Sequence, residues 1–232
     1  MFELQLDVID DADGRRPVRH AVRRVLIAGY TGRDRSSVMD HIRELQQLGV
    51  APPPRVPMVY EVDPALLTTQ PRLLASSPRT SGEVEFVLLP TPDGLLIGVG
   101  SDHTDRQHEA IDVATSKSMC AKPVSAEVWR YQDVCEHWDL LQIRSWVTSG
   151  AGRVLYQDGC LDAFLPVDDL LAELRQAGYG EVEECVIFGG TIPTQRGFVY
   201  GSRFEAELHD PVRRRSLSVA YHVELADGSG GG

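Results

Sequence analysis

The sequence predicts an α+β, strand-rich fold. Twenty-one Gly and 14 Pro are spread over many short segments, the spacing of a chain with many turns. From residue 81 onward short apolar runs separated by turn residues dominate, and the regular strand–helix–strand alternation of a doubly wound parallel sheet is missing.

The elements follow in order. FELQLDVI alternates as a strand and DADG follows as a turn. VRRVLIAGY (22–30) reads as a second strand ending in the turn TGRD. DRSSVMDHIRELQQLGV reads as a helix, with Val38, Ile42, Leu45 and Leu48 on one stripe, Asp34 or Ser36 as its cap and Gly49 as its stop. APPPRVP ends it and starts the extended PMVYEV. EVEFVLLP and LLIGVGSD flank TPDG as a β-hairpin. Helices are expected at about 125–138 and at 166–177, the latter stopped by Gly178. LQIRSWVT and RVLYQDG form another hairpin, CVIFGGTIP a strand, and FEAELHDPVRRRSLSVAYHVEL a closing hairpin. No internal repeat or convincing boundary divides the chain, so residues 1–226 are expected to form a single domain. Within it 1–24 are an N-terminal strand and turn region and 25–226 the core, ahead of a Gly/Ser tail at 227–232.

Composition narrows the function classes. A net charge of −11 repels phosphate backbones, so nucleic-acid binding is not expected. No run of 18 apolar residues is present, so no membrane span is expected. The amino terminus MFELQLDVIDDADG carries acids where a signal peptide carries a basic region and an apolar stretch. Cys120, Cys135, Cys160 and Cys185 form no CxxC pair. Four reduced thiols in a cytoplasmic protein is the resulting expectation.

Three places carry possible chemistry. The first is Glu83-Val84-Glu85, which opens an apolar run. Residues two apart in a strand share a face, roughly 6.5–7 Å apart along the chain. Val84, Phe86 and Leu88 then occupy one face, and Glu83, Glu85, Val87 and Leu89 the other, as in a strand covered on both sides. Two carboxylates at its head repel each other, and a hard divalent ion such as Mg²⁺ or Mn²⁺ resolves the conflict. On spacing alone, a solvated strand end is the plainer reading. The second is Ser101-Asp102-His103-Thr104-Asp105-Arg106, just after the apolar strand that pairs with the first. Asp102 is nearer that strand than Asp105 and can reach the same ion; alone, the segment reads as an Asp-rich turn. His103 and His108, five apart, fit no zinc motif. The third is His41, which falls inside the apolar stripe of the first helix with Glu44 three residues on. An imidazole oriented by a carboxylate suits a general base, whereas a surface His beside a solvated Glu is the bland alternative.

In this order and spacing the pieces resemble the fumarylacetoacetate hydrolase superfamily. HIRE is similar to its His-x-x-Glu pair, and LGVAPPPRVPMVYEV to the Pro-containing run that follows. EVEFVLL resembles its metal-binding Glu-x-Glu strand, and SDHT its third carboxylate segment. TSKSMCAKP, RVLYQDG and GGTIP are similar to its Lys, Gln and Gly-Thr-Pro elements. The resemblance spans about residues 25–224. SDHT lacks the family's Asn, GGTIPTQRG has an extra Ile before its Pro, and the Lys segment is shorter, departures that line the substrate side.

The resemblance implies a mixed β-sandwich roll with few peripheral helices, assembled as a homodimer around a small-molecule site. It implies Mg²⁺ or Mn²⁺ held by Glu83, Glu85 and Asp102. His41, Glu44 and Lys117 would be catalytic, with Gln157, Gly190 and Thr191 binding substrate. The first expectation is hydrolysis of a C–C bond in an acylpyruvate-like or other β-diketo or 2-oxo acid through a metal-stabilised enolate. Decarboxylation of an oxaloacetate-type acid and enol/keto isomerisation use the same residues. A non-catalytic binding protein that keeps the fold, and an unrelated zinc hydrolase using His103 and His108, are the alternatives from other classes.

Overall fold

The computed structural model describes residues 2–10, 14–47, 52–180 and 182–226. β1 (Phe2–Asp10) and β2 (Gly14–Val22) form an antiparallel pair, followed by β3 (Arg24–Gly29), α1 (Arg35–Gln47) and β4 (Met58–Val62). Short pieces β5 (Leu67–Thr68), β6 (Arg72–Ala75) and β7 (Thr80–Ser81) lead to the central hairpin, β8 (Val84–Thr91) and β9 (Gly94–Ser101). Next come β10 (Thr104–Asp105), α2 (Arg106–Glu109), α3 (Val113–Ser118), β11 (Lys122–Pro123) and β12 (Glu127–Arg130). The chain ends with β13 (Gln142–Ser149), β14 (Gly152–Cys160), α4 (Val167–Leu174), β15 (Cys185–Thr191), β16 (Arg203–Asp210) and β17 (Arg215–Leu225).

An eight-stranded mixed sheet has the order β2-β1-β12-β9-β8-β15-β3-β4, and a five-stranded sheet the order β14-β13-β16-β17-β6. The larger sheet curls on itself. His20 on edge strand β2 places Nε2 3.0 Å from the carbonyl oxygen of Cys185 on β15, although four strands separate the two in the sheet order. One core fills the curl, with Leu4, Leu6, Val25, Ile27, Val87, Leu89 and Phe188. A larger core joins the two sheets, with Phe86, Leu88, Val99, Ile143, Phe204 and Leu208.

Strand period decides where each residue goes. Val84, Phe86 and Leu88 enter the core between the sheets, while Val87 and Leu89 enter the core inside the curl. The alternation expected for β8 is therefore observed. Each fully buried side chain of this size contributes about 1.5–3 kcal/mol relative to exposure, so the hairpin that carries the acids is anchored from both faces.

Four expectations need correction or completion. The strand expected over 22–30 is two strands: Val22 closes β2, a bend at Arg23 breaks the run, and β3 starts at Arg24. The helix expected at about 125–138 is β12 followed by short 3₁₀ turns. Val128 enters one core and Trp129 the other, a period of two that only a strand buried on both faces satisfies. α4 ends at Leu174 and continues as a wider π turn, Arg175–Tyr179, in which Gly178 adopts φ +90°. α1 begins as expected, its Asp34 carboxylate accepting the Ser36 N–H at 2.9 Å. The turn at 11–13, the stop at Gly49 and the tail at 227–232 lie outside the described residues. The four cysteines are free thiols. No described helix is long and apolar enough to cross a membrane.

Candidate active site

The acids converge because of strand register. β8 pairs Val84 with Ser101 and Glu85 with Gly100. One step beyond that ladder the Asp102 N–H donates to the Glu83 carbonyl at 3.0 Å, which sets Asp102 across from Glu83. One carboxylate oxygen from each of Glu83, Glu85 and Asp102 lies within 4.8 Å of the others. Glu85 is 2% exposed and Asp102 is fully buried.

Three cations surround the acids. Lys117, at the end of α3, donates to one Asp102 oxygen, and Lys122 lies 2.9 Å from the other. Lys122 also donates to the His103 carbonyl at 2.6 Å. Arg106 reaches Glu83 at 3.2 Å, Glu109 at 2.8 Å and the Ser81 hydroxyl at 2.7 Å.

The three carboxyls respond differently. Burial alone would raise Asp102, yet Lys117 and Lys122 outweigh it and hold the carboxyl well below the usual carboxylate range. Burial pushes Glu83 up, with Arg106 and Lys117 pulling against it. Glu85 is pushed well above its ordinary value by burial and then by the Asp102 charge; the Lys117 ammonium and the Gly190 N–H at 2.8 Å offset only part of this. Among the described residues no cation hydrogen-bonds or ion-pairs with Glu85. A buried carboxylate set with one member bonded to no cation is the donor set a hard divalent cation suits, so these residues fit Mg²⁺ or Mn²⁺.

The other expected residues divide. Lys117 is at the cluster. Gln157 is fully buried, and its amide is committed within the protein. Its oxygen accepts from the Val84 N–H at 2.9 Å and the Ser145 hydroxyl at 2.8 Å; its NH₂ donates to the Thr191 hydroxyl at 2.8 Å and the Ile192 carbonyl at 2.6 Å. The Thr191 hydroxyl in turn donates to the Val84 carbonyl at 2.9 Å. The Gly190 N–H is occupied by Glu85. These three residues therefore hold the head of β8 in place. They stand at an irregularity of β15, where the register against β8 shifts between Phe188 and Thr191. Gly190, at φ +113°, has no room for a side chain: a Cβ there would stand 2.0 Å from the Thr31 hydroxyl. His41 and Glu44 fall on α1, but their side chains lie outside the described residues.

His103 and His108 do not join the cluster. The His103 Nδ1 lies 2.9 Å from the Tyr221 hydroxyl, itself 2.8 Å from Ser101 Oγ. Burial, with Lys122 and Arg106 nearby, pushes His103 down to about 3, so it is neutral. His108 lies beside Asp105 at 3.1 Å. Among the described residues, the group that can hold a metal is the three acids alone. Neither Lys122 nor Arg106, at the end of the Asp-rich segment, is given a role by the sequence. Their signals were a lysine beside Pro123 in the otherwise uncharged CAKPV and an arginine immediately after SDHTD.

Fold and acid cluster together define a class, the fumarylacetoacetate hydrolase fold. A yeast fumarylacetoacetate hydrolase family protein, ynq8, superposes with a TM-score of 0.62 at 14% identity, covering 89% of this chain and 95% of its own. Maleylpyruvate hydrolase from Sphingobium sp. SYK-6, in complex with manganese(II) and pyruvate, gives 0.58 at 14% identity over 91% of this chain and 75% of that one. A 2-keto-3-deoxy-D-arabinonate dehydratase complexed with magnesium and 2,5-dioxopentanoate gives 0.59 at 13% identity over 93% and 78%. The chain belongs to the family described as a protein of unknown function, DUF2848, whose model matches residues 28–221. No curated protein matches the sequence.

Proposed function

We propose that this protein is a Mg²⁺- or Mn²⁺-dependent enzyme acting on a 2-oxo or β-diketo acid, and that it hydrolyses a C–C bond in an acylpyruvate-like substrate. The observation that carries this reading is the convergence of Glu83, Glu85 and Asp102 in one buried cluster with Lys117 bonded to its edge. The solved neighbours that hold manganese with pyruvate, or magnesium with 2,5-dioxopentanoate, support it.

Glu83, Glu85 and Asp102 would hold the ion, which when bound acts as a Lewis acid toward the substrate's oxygens. Burial opposes the charge on Lys117, but Asp102, Glu83 and Glu85 outweigh it and raise its pKa, so the lysine stays an ammonium. It is placed to stabilise negative charge developing on the substrate. In the reaction, water adds to the distal carbonyl carbon, and the C–C bond breaks with its electron pair left on the pyruvate carbon. A proton returned to that carbon releases pyruvate and a carboxylate. His41, oriented by Glu44, takes the proton from water and returns it. Gln157, Gly190 and Thr191 enter as positioning residues, because their polar groups already serve β8 and Glu85.

The test is an activity screen with added Mg²⁺ or Mn²⁺ over acylpyruvates, oxaloacetate and other 2-oxo acids. The expected result is pyruvate plus a carboxylate from an acylpyruvate. Carbon dioxide from oxaloacetate with no acylpyruvate cleavage would reassign the reaction to decarboxylation, and no turnover of any of them would overturn the enzyme reading.

A further inference from the structure

Beside Lys117 stands one phenol with no role in the chemistry above, Tyr60, and a second, Tyr30, lies in the chain between Gly29, which Tyr60 touches, and Thr31, which abuts Gly190. The Tyr60 ring on β4 packs against Gly29, where a Cβ would stand 3.7 Å from Tyr60 Cε2, and the Lys117 ammonium sits 5.6 Å from its centroid. Next to Gly29, Tyr30 adopts φ +59°, a left-handed conformation that a residue with a large side chain rarely takes. The neighbouring Thr31 is fixed at both its hydroxyl and its carbonyl. Its hydroxyl donates to the Gly189 carbonyl at 2.8 Å, and its carbonyl accepts the Leu165 N–H at 2.8 Å. The same segment abuts Gly190, whose N–H holds Glu85. A strained backbone that aims one side chain, clamped to the loop that holds a site residue, is a pattern of functional sites.

Both rings are half-buried, and no described residue hydrogen-bonds to either hydroxyl. Burial, and for Tyr30 the Glu109 charge, raise the phenols, so both stay neutral. The cations around this space are already committed: Lys117 and Lys122 to Asp102, Arg106 to Glu83 and Glu109. One carboxylate of a ligand can share Lys117. A second, further out, would meet neutral aromatic rings and the Glu109 carboxylate, with no spare cation at the cluster among the described residues.

We propose that Tyr30 and Tyr60 form an aromatic wall that makes this site selective for 2-oxo monocarboxylates with an apolar tail and against those with a second, distal carboxylate. This rests on the reading of the acid cluster as a 2-oxo acid site. Tyr30 and Tyr60 are then specificity-determining residues, touching the tail and leaving the head group to the acids and Lys117.

The test uses the Mg²⁺-loaded full chain in calorimetric titrations with pyruvate, phenylpyruvate and 2-oxoglutarate. Burying a phenyl tail predicts phenylpyruvate at least about tenfold tighter than pyruvate, with 2-oxoglutarate no tighter than pyruvate. Tyr30→Gly, which accepts the left-handed backbone without strain, should cut the phenylpyruvate advantage to about threefold or less while Mg²⁺ and pyruvate affinities hold. The wall is overturned if phenylpyruvate gains nothing over pyruvate, if 2-oxoglutarate binds tighter than pyruvate, or if Tyr30→Gly weakens pyruvate and phenylpyruvate equally. Should Mg²⁺ bind while none of the three acids does, the 2-oxo acid reading itself fails and takes the wall with it.

Discussion

Two buried polar clusters flank the start of β8, and they are held in opposite ways. Around Gln157 every demand is met: both functions of its amide, the Ser145 and Thr191 hydroxyls and the Val84 N–H and C=O bond to one another or to Ile192. Around Glu85 the demands conflict. Three carboxylates crowd together, two lysines serve Asp102, an arginine serves Glu83, and Glu85 has a single backbone N–H. A satisfied network has nothing left to offer a ligand and rigidifies the chain, whereas an unsatisfied one has free-energy reason to take up a cation. Both kinds of residue belong to motifs that the sequence associates with the site, yet their hydrogen bonds sort them into a satisfied scaffold and an unsatisfied acid cluster.

The sharpest way to break this contrast is to remove the unsatisfied acid. Glu85→Gln should lower turnover by at least about 10⁴-fold, since metal Lewis acidity is worth several kcal/mol. It should also abolish the metal's stabilisation of the fold, which for the parent chain is about 2.7 kcal/mol at a hundred times the dissociation constant. Thermal melts with and without Mg²⁺ read this directly. Because the amide oxygen introduced by Glu85→Gln keeps the Gly190 hydrogen bond without the like-charge repulsion, the metal-free variant should melt no lower than the parent.

His41→Ala is expected to lower turnover by about 10²–10⁴-fold while Mg²⁺ binding survives. Glu44→Ala should act in the same direction, and the double variant should be little worse than either single, as steady-state kinetics on the identified substrate will show. Near-normal turnover in His41→Ala would place the base elsewhere.

On the scaffold side the prediction has a different signature. Gln157→Ala leaves the buried Val84 N–H and Ile192 carbonyl without partners and should cost about 2–4 kcal/mol in urea unfolding. Through Glu83 and Glu85 it should weaken Mg²⁺ binding about tenfold to a hundredfold. A substrate contact would instead raise KM with stability unchanged.

The smallest effect comes from a buried carboxylate far from the cluster. Asp210 accepts the Val212 and Arg213 N–H groups at 3.0 and 3.1 Å and lies 2.9 Å from His137 Nε2. Burial works to raise its pKa, but the Arg213 N–H and His137 outweigh this and lower it. A folded-state pKa below the unfolded one means that its contribution is complete above the ordinary carboxylate range and is lost as pH falls through the lowered value. Asp210→Asn should therefore cost about 1 kcal/mol at pH 7 and little at pH 2, measured as urea midpoints at both.

Much of this was legible in the chain because it depends on nearest neighbours. The two-residue period of EVEFVLL places Glu83 and Glu85 together, and a tight turn at TPDG brings the Ser101–Asp102 end of the next strand back beside them. Val128 and Trp129 misled because a short apolar-aromatic run has no helical or strand period of its own until two cores claim its two sides. Gln157, Gly190 and Thr191 stand out in the sequence, but the bonds they make inside the protein do not. Their hydrogen bonds run to residues 73, 105 and 107 positions away, beyond any local pattern.

By itself, then, the sequence determined the strand-rich class and the hairpin, since period and turn chemistry are local properties, and its resemblance to a known family singled out the three acids. Only the tertiary structure decided which acid has no cation bonded to it among the described residues, and which polar residues are spent on the scaffold. Each of these depends on which distant groups share one buried volume, where low dielectric makes every paired or unpaired charge count.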